Sequence, residues 1–324
     1  MKAEVDQNLV VYFRGEYVPL QEARIGILTH ALHYGTGVFE GIRGYWNDAE
    51  QEIFLVRPRE HYERWKHNCG LLRITVPESA ECLCEITAEL ARRNAFHTDI
   101  YIRPLAYKAA ERVGVRTDDD DAFALVALPF GAYLPDKGLH AGVSAWRRID
   151  DNAIPARGKI CGAYVNSVLA SDDARRAGFD EALLLNESGH VAEGATCNLF
   201  MLRKGRLITP SVTENVLEGI TRDSVMELAR HQLGLSVQER PIDRSELYLC
   251  DELFLTGTAV GVAPVVRVDH RPVGSGEVGA ITSEMQRLYF EAVRGLLPAY
   301  RKWLLPAFAS QQQPELQAMG EGLA

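Results

Sequence analysis

Residues 154–167, Ile-Pro-Ala-Arg-Gly-Lys-Ile-Cys-Gly-Ala-Tyr-Val-Asn-Ser, place one lysine, Lys159, directly before a predicted helix. Pro155 and Gly158 disfavour a regular element ahead of this lysine. Beyond it, apolar side chains recur at the spacing of an amphipathic helix that Gly178 would end; they are Tyr164, Val165, Val168 and Leu169. Lys159 is therefore predicted to lie in a turn at the start of an amphipathic helix.

A lysine in such a turn can act as a nucleophile. If its ammonium group is desolvated, the pKa of the side chain falls, and the neutral amine can then attack a carbonyl carbon to form a Schiff base. Taken alone, a lysine before a helix is most often a solvated surface residue, because lysine is rarely buried without a partner. A catalytic role for Lys159 therefore requires partners elsewhere in the chain.

The composition is that of an ordinary globular protein. The chain has 324 residues, 47% of them hydrophobic and 24% charged, and two domains are expected because this length exceeds what one core usually supports. A formal net charge of −9 argues against nucleic-acid binding, which needs a clustered excess of lysine and arginine. Neither a signal peptide nor a membrane-spanning apolar run is evident. We therefore expect a cytoplasmic protein without membrane or nucleic-acid partners.

Proline and glycine mark a domain boundary. Residues 129–138, Pro-Phe-Gly-Ala-Tyr-Leu-Pro-Asp-Lys-Gly, are typical of an interdomain linker. This places one α/β domain at residues 1–128 and a second at residues 139–324. The tail from Gln311 is rich in glutamine and glycine, and we expect it to be mobile.

Several polar features could serve as partners of Lys159. Glu193 interrupts a predicted strand, although by itself such a carboxylate usually faces water from a sheet edge. Arg59 follows the strand Ile53–Val56 at a strand-to-helix turn and could meet an anion. Two turns combine glycine with hydroxyl side chains and could bind phosphate through backbone N–H groups; they are Gly219-Ile-Thr221 and Thr256-Gly-Thr-Ala259.

Pyridoxal phosphate requires such a set of groups. A lysine forms the Schiff base, a carboxylate keeps the ring nitrogen protonated, and an anion site holds the phosphate. A metal site is not predicted, because His30 and His33 have no accompanying cluster of carboxylates or thiolates. Strand alternation also places Tyr101 and Arg103 on one face of a strand.

The sequence resembles the class IV (fold type IV) pyridoxal-phosphate aminotransferases, and within them the branched-chain amino acid aminotransferases, over about residues 8–295. The resemblance lies in motifs that include Val38-Phe-Glu-Gly-Ile-Arg43, Tyr101-Ile-Arg-Pro104, Lys159-x-x-Gly-x-Tyr164 and Glu193-Gly-Ala-x-x-Asn-Leu-Phe200. It implies a small amino-terminal α/β domain, a larger mixed α/β domain and a pyridoxal-phosphate cofactor. It also implies transamination between a branched-chain or other hydrophobic L-amino acid and 2-oxoglutarate.

The resemblance further implies residue roles. Lys159 would form the Schiff base, Tyr164 would contact the cofactor phenolate oxygen, and Glu193 would face the ring nitrogen. The implied phosphate ligands are Arg59, Gly219, Ile220, Thr221, Thr256, Gly257 and Thr258. The implied substrate-binding residues are Tyr34, Phe39, Gly41, Arg43, Tyr101, Arg103, Val115, Tyr133, Tyr164, Thr258 and Ala259. Because Tyr34 and Val115 would come from a neighbouring subunit, at least a homodimer is expected.

Other activities stay open at this point. A D-amino-acid aminotransferase and an aminodeoxychorismate lyase share the same fold. The residues after Lys159 are bulkier than the glycine-rich run of better-known bacterial branched-chain enzymes, which keeps a pathway-specific aminotransferase open. A non-enzymatic carrier of the cofactor would need only the lysine, and Glu193 argues against it because a carrier does not need an electron-accepting ring.

Overall fold

The computed structural model describes residues 6, 8–131 and 138–308. The strands are β1 (Val10–Phe13), β2 (Glu16–Pro19), β3 (Gly37–Phe39), β4 (Ile42–Asn47), β5 (Glu52–Val56), β6 (Ile100–Lys108), β7 (Asp121–Pro129), β8 (Leu139–Arg147), β9 (Glu181–Leu185), β10 (Val191–Gly194), β11 (Asn198–Arg203), β12 (Arg206–Thr209), β13 (Val237–Glu239), β14 (Glu252–Gly257), β15 (Gly261–Val268), β16 (Arg271–Pro272) and β17 (Leu304–Pro306). The helices are α1 (His30–Tyr34), α2 (Pro58–Leu71), α3 (Ala80–Arg93), α4 (Tyr164–Arg176), α5 (Ile220–His231) and α6 (Ala280–Val293). Of these helices, none has both the length and the hydrophobicity needed to cross a membrane.

The chain forms two compact units. The first unit comprises the described residues within 1–34, 39–131 and 292–324, and the second comprises those within 35–38 and 132–291. The mixed α/β class is confirmed. Within the predicted linker, residues 132–137, including Tyr133, lie outside the described residues, as does the predicted mobile tail from Gln311.

The first unit is built on an antiparallel sheet. Its strands run in the order β17-β5-β4-β6-β7-β1-β2, with β3 beside β6. Strands β1 and β2 form a hairpin across a turn in which Arg14 and Gly15 have φ values of 51° and 95°. Helices α2 and α3 contact one another, and Tyr62, Trp65, Leu83 and Leu90 on them are fully buried. This burial supplies most of the favourable free energy of such a layer.

The carboxyl-terminal segment departs from the simple two-part division predicted above. Strand β17 pairs with β5 of the first unit, with Leu304 opposite Val56. A three-residue strand that pairs with a partner about 250 positions away has no local signal in the sequence. The last helix spans Ala280–Val293, and the chain then turns at Gly295, whose φ is 78°.

The second unit is built on a mixed sheet. Its strands run in the order β10-β9-β8-β15-β14-β11-β12-β13, with β16 beside β15. Strand β8 is parallel to both β9 and β15, and β12 is parallel to β13. One face of this sheet buries an apolar cluster that includes Leu183, Leu185 and Val191.

Helix α4 covers part of the opposite face, but not with the side chains predicted for that role. Val165, Val168 and Leu169 are 60%, 64% and 39% exposed. Small residues face the sheet instead: Ser167, Ala170 and Ala174 are buried, and the two alanines pack against Ala182 and Leu184. Small side chains let the helix lie close to the strands. The prediction that the helix packs through its larger apolar side chains was therefore wrong.

Candidate active site

Lys159 lies in a turn, as predicted, and contacts a tyrosine. Gly158 N–H donates to the Pro155 carbonyl at 3.0 Å, and a short 3₁₀ turn, Cys161–Ala163, then leads directly into α4. The half-buried Lys159 Nζ donates a hydrogen bond to the Tyr164 hydroxyl at 3.0 Å. The start of α4 thus fixes a hydroxyl beside the lysine amine.

A close backbone approach holds this turn in place. Gly162 N–H donates to the Gly35 carbonyl at 3.1 Å, and Val38 forms an isolated bridge with Ile160. A Cβ atom added to Gly35 would lie 2.7 Å from Gly162 Cα, and Gly35 has a φ of 65°. Both the contact and the conformation therefore require glycine at position 35.

A β-bulge determines where Glu193 points. Val191 pairs with Leu185 but Glu193 pairs with Leu184, so Ala192 is an extra residue on β10. Directly paired residues share a sheet face, and Leu184 lies on the face that α4 covers. Without the bulge, Glu193 would share the face of Val191, in the apolar cluster. The bulge therefore turns the carboxylate to the side of α4, the helix that Lys159 precedes.

The Glu193 carboxylate is buried and fully hydrogen-bonded. Although β10 is an edge strand, Glu193 is only 5% exposed. Its Oε2 accepts hydrogen bonds from Asn198 Nδ2 at 3.0 Å and Leu217 N–H at 3.1 Å, while Arg148 Nε lies 2.9 Å from Oε1. Burial raises the pKa of Glu193, and the positive charges of Arg148 and Lys159 oppose that rise.

Asn198 joins this carboxylate to a second polar region. Besides Glu193, its Nδ2 donates to the Leu217 carbonyl at 2.8 Å, and on the neighbouring strand it pairs with Thr256. A Cβ atom at Gly219, the residue that precedes α5, would lie 2.0 Å from Asn198 Oδ1. The predicted hydroxyl-glycine turns and Glu193 therefore meet around one amide side chain.

The residues present fit a phosphate-bearing pyridine. The first N–H groups of a helix have no acceptor within that helix, and α5 begins at Ile220 and Thr221 without a side-chain cap. The Thr256 hydroxyl is fully buried and has no hydrogen-bond partner within the described part of the chain. Helix α5, Thr256 and the buried Glu193 thus offer donors for an anion and an acceptor for a protonated ring nitrogen.

In the first unit, four predicted substrate residues form a cluster. Arg103 Nη2 donates to the Tyr101 hydroxyl at 3.2 Å, and the Arg103 guanidinium carbon lies 4.6 Å from the centre of the Phe39 ring. A Cβ atom at Gly41 would lie 2.0 Å from the Tyr101 hydroxyl oxygen. Arg43 is buried, and its guanidinium stacks on Phe130 at 4.8 Å, the ring that contacts Tyr101.

The predicted phosphate ligand Arg59 lies on the exposed face of α2. Its side chain is 64% exposed and forms ion pairs with Glu63 and Glu81. The arginine that α2 turns inward is Arg64, whose guanidinium lies 2.6 Å from the fully buried carboxylate of Glu40. Arg59 faces outward because α2 buries Pro58, His61, Tyr62 and Trp65, which define the opposite face.

Two further predicted residues lie beside each other on the surface of the first unit. The Tyr34 hydroxyl accepts a hydrogen bond from Gly114 N–H at 2.9 Å, next to Val115, which is 82% exposed. Thr258 and Ala259 are half-buried in the turn after β14. Arg148 and Asn198 were given no role from the sequence; Asn198 could have been noticed within the Glu193 motif, whereas Arg148 has no local signal.

Comparisons with known proteins identify the family of the chain. The family described as "Amino-transferase class IV" matches residues 37–268. A probable branched-chain-amino-acid aminotransferase of Aquifex aeolicus is 49% identical over 299 residues, 92% of this chain and 96% of that protein. The branched-chain-amino-acid aminotransferase of Escherichia coli K12 is 38% identical over 300 residues, 91% and 96% of the two chains.

Solved structures are similar over nearly the whole fold. A branched-chain aminotransferase of Thermoproteus uzoniensis, crystallised with norvaline, has a TM-score of 0.89 at 38% identity over 92% of this chain and 99% of that chain. The branched-chain amino acid aminotransferase of Thermobaculum terrenum, in its PLP-form, has a TM-score of 0.89 at 38% identity over 93% and 99% of the two chains. The chain therefore belongs to the class IV aminotransferase family.

Proposed function

We propose that this protein is a pyridoxal-phosphate-dependent aminotransferase that exchanges amino groups between branched-chain L-amino acids and 2-oxoglutarate. The observation that carries the proposal is the buried, triply hydrogen-bonded Glu193 carboxylate, in the same unit as the Lys159–Tyr164 pair. A carboxylate is costly to bury, and one that faces a protonated nitrogen recovers part of that cost. Relatives named as branched-chain aminotransferases support the substrate class.

Each residue then has a definite task. The cofactor, when bound, supplies a reactive carbonyl carbon and an electron-accepting ring. Lys159 Nζ takes up and returns the proton that transamination moves, and the Tyr164 hydroxyl orients it. Glu193 accepts a hydrogen bond from the protonated ring nitrogen. The phosphate would be held by N–H groups of Gly219, Ile220 and Thr221, by the turn Thr256-Gly-Thr258 and by Arg59.

For the substrate, we propose roles for the first-unit cluster and the turn after β14. Tyr101 and the N–H groups of Thr258 and Ala259 bind the α-carboxylate. Phe39 and Gly41 contact the apolar side chain, and we assign the same role to Tyr133 and Tyr164. Arg43 supports the cluster through Phe130.

A panel of amino donors with 2-oxoglutarate tests the proposed function. We expect L-leucine, L-isoleucine and L-valine to be turned over and D-leucine to be inert, measured as glutamate formed per enzyme together with the cofactor absorbance. Preference for D-leucine would indicate a D-amino-acid aminotransferase. Bound cofactor without turnover of any donor would indicate a carrier. A narrow preference for another amine would indicate a pathway-specific enzyme.

Arg103→Leu should impair the two half-reactions unequally. We propose that Arg103, exposed beside Tyr101 and Phe39, meets the distal carboxylate of glutamate, which a leucine side chain does not reach. Loss of a charged hydrogen bond costs roughly 1.5–3 kcal/mol, so kcat/KM for 2-oxoglutarate should fall about ten- to a hundredfold while that for leucine changes little. Stopped-flow measurement of each half-reaction checks this, and equal losses would show that Arg103 is structural.

We further propose a cytoplasmic homodimer, or a higher oligomer built from it, in which Tyr34 and Val115 serve the partner's site. Each unit exposes apolar side chains that an oligomer could bury away from water. In the first unit these include Ile27, Leu32, Val113 and Val115, and in the second Val165, Val168 and Leu169. The outward face of α4 is thus explained as a contact between subunits.

A further inference from the structure

Arg148 is a buried arginine to which the chemistry described so far assigns no task. It directly follows β8 and is 8% exposed. Its Nε donates to the Asn215 carbonyl at 3.1 Å and lies 2.9 Å from Glu193 Oε1, and its Nη2 donates to the Ala156 carbonyl at 3.4 Å. One guanidinium therefore connects Glu193 with the segments before Lys159 and before α5.

Stability alone is a weak reason for such a pair. Desolvating two charges can cost more than their attraction returns, and apolar side chains of similar volume often replace a buried ion pair without loss. Asn198 and Leu217 already satisfy Oε2 with neutral donors. What Arg148 adds is a full positive charge at the other carboxylate oxygen.

That charge affects a shared proton. A carboxylate and a pyridine nitrogen can share one proton in two ways, as carboxylate and pyridinium or as carboxylic acid and neutral ring. In a buried site the neutral arrangement gains from the low dielectric. A cation that contacts the carboxylate stabilises its negative charge more than it repels a pyridinium on the carboxylate's other side, because Coulomb energy falls with distance.

We propose that Arg148 is a positioning residue that keeps Glu193 ionised, so that the proton shared with the cofactor's ring nitrogen stays on the nitrogen. This inference rests on the proposed function. An opposite charge in contact shifts a carboxyl pKa by about 1–3 units, so loss of Arg148 should move the balance toward the neutral ring by roughly ten- to a thousandfold. The rate of transamination should fall with the share of protonated ring.

The test compares wild type, Arg148→Gln, Glu193→Gln and the double variant, each loaded with cofactor labelled at the ring nitrogen. The nitrogen NMR shift reports protonation directly, independently of turnover. In Arg148→Gln it should move toward the neutral value, and kcat should fall at least about tenfold. Replacing Arg148 in the Glu193→Gln background should not move the shift further, because Arg148 acts through that carboxylate.

Arg148→Lys separates charge from cross-linking, and it also decides the question if Arg148→Gln does not fold. A lysine keeps the charge but cannot reproduce both carbonyl contacts, so we expect a protonated ring nitrogen and a lower melting temperature. Arg203→Gln, which breaks the half-buried pair with Glu246 in the same unit, gives the effect of losing an ion pair elsewhere. It should lower stability without changing the nitrogen shift.

Three results would overturn the inference: a wild-type nitrogen shift in Arg148→Gln, a neutral ring in Arg148→Lys, or an equal effect of Arg148→Gln with and without Glu193. If wild type itself binds no cofactor or transaminates no amino acid, the proposed function fails instead. An active wild type with a protonated ring, combined with a wild-type shift in Arg148→Gln, would refute only the role of Arg148.

Discussion

Lys159→Ala should abolish transamination while the protein stays folded and still binds cofactor through its phosphate contacts. Removing the group that carries the proton alone costs about 10²- to 10⁴-fold in rate, and loss of the covalent link to the cofactor adds to this. Lys159 is only half-buried, and its Nζ bonds to the side chain of Tyr164, so we expect little loss of stability. Borohydride treatment followed by mass spectrometry should fix cofactor to wild type and not to the variant.

A matched control is Lys204→Ala, which removes an exposed lysine of the same unit. It should retain both turnover and borohydride-fixed cofactor. Wild-type turnover in Lys159→Ala would remove Lys159 from the reaction and with it the whole assignment.

Glu193→Gln should bind cofactor but react slowly. An amide is uncharged and cannot keep a ring nitrogen protonated, so it does not stabilise the negative charge that develops on the substrate carbon. Loss of one such electrostatic group lowers kcat by roughly a hundred- to a thousandfold. The change should appear in the single-turnover rate, with a smaller change in the substrate concentration at half-maximal rate.

Glu181→Gln is a control at a half-buried carboxylate of the same sheet. Glu181, on the neighbouring strand β9, accepts hydrogen bonds from Ala182 N–H at 2.8 Å and Ala195 N–H at 3.2 Å, and burial raises its pKa. We expect its replacement to alter stability more than the single-turnover rate. If Glu193→Gln keeps the wild-type single-turnover rate, Glu193 has only a structural role.

The closeness of Lys159 and Tyr164 was predictable from the sequence, because the two residues lie five positions apart at the start of one helix. The direction in which side chains point was harder to predict. Helix α4 points apolar residues outward because its own small residues pack against the sheet. The sequence period of the helix does not show which of its faces the sheet accepts. The exposed ion pair of Arg59 with Glu63, by contrast, follows from their spacing of four on the polar face of α2.

Contacts between residues far apart in the sequence were the other features that could not be predicted. Arg148 and Glu193 lie 45 positions apart in the sequence, and nothing in the residues near either one predicts that they form a pair. The shared face of Tyr101 and Arg103 was predicted from strand alternation, whereas Phe39 and Gly41 were named only through the family resemblance. The alternation in β6 was thus predictive, whereas pairings between distant loops were not predictable.

The bulge in β10 ties the chemistry to the register of a strand pair and not only to composition. If Ala192 paired regularly with Leu184, the chain would contain the same lysine, tyrosine and glutamate, yet the carboxylate would lie in the apolar cluster on the other face. An inventory of motif residues would not register the difference. Substitutions in this strand that keep the bulge can therefore retain the reaction, whereas a change that restores regular pairing at Ala192 converts a complete set of catalytic side chains into an inactive one.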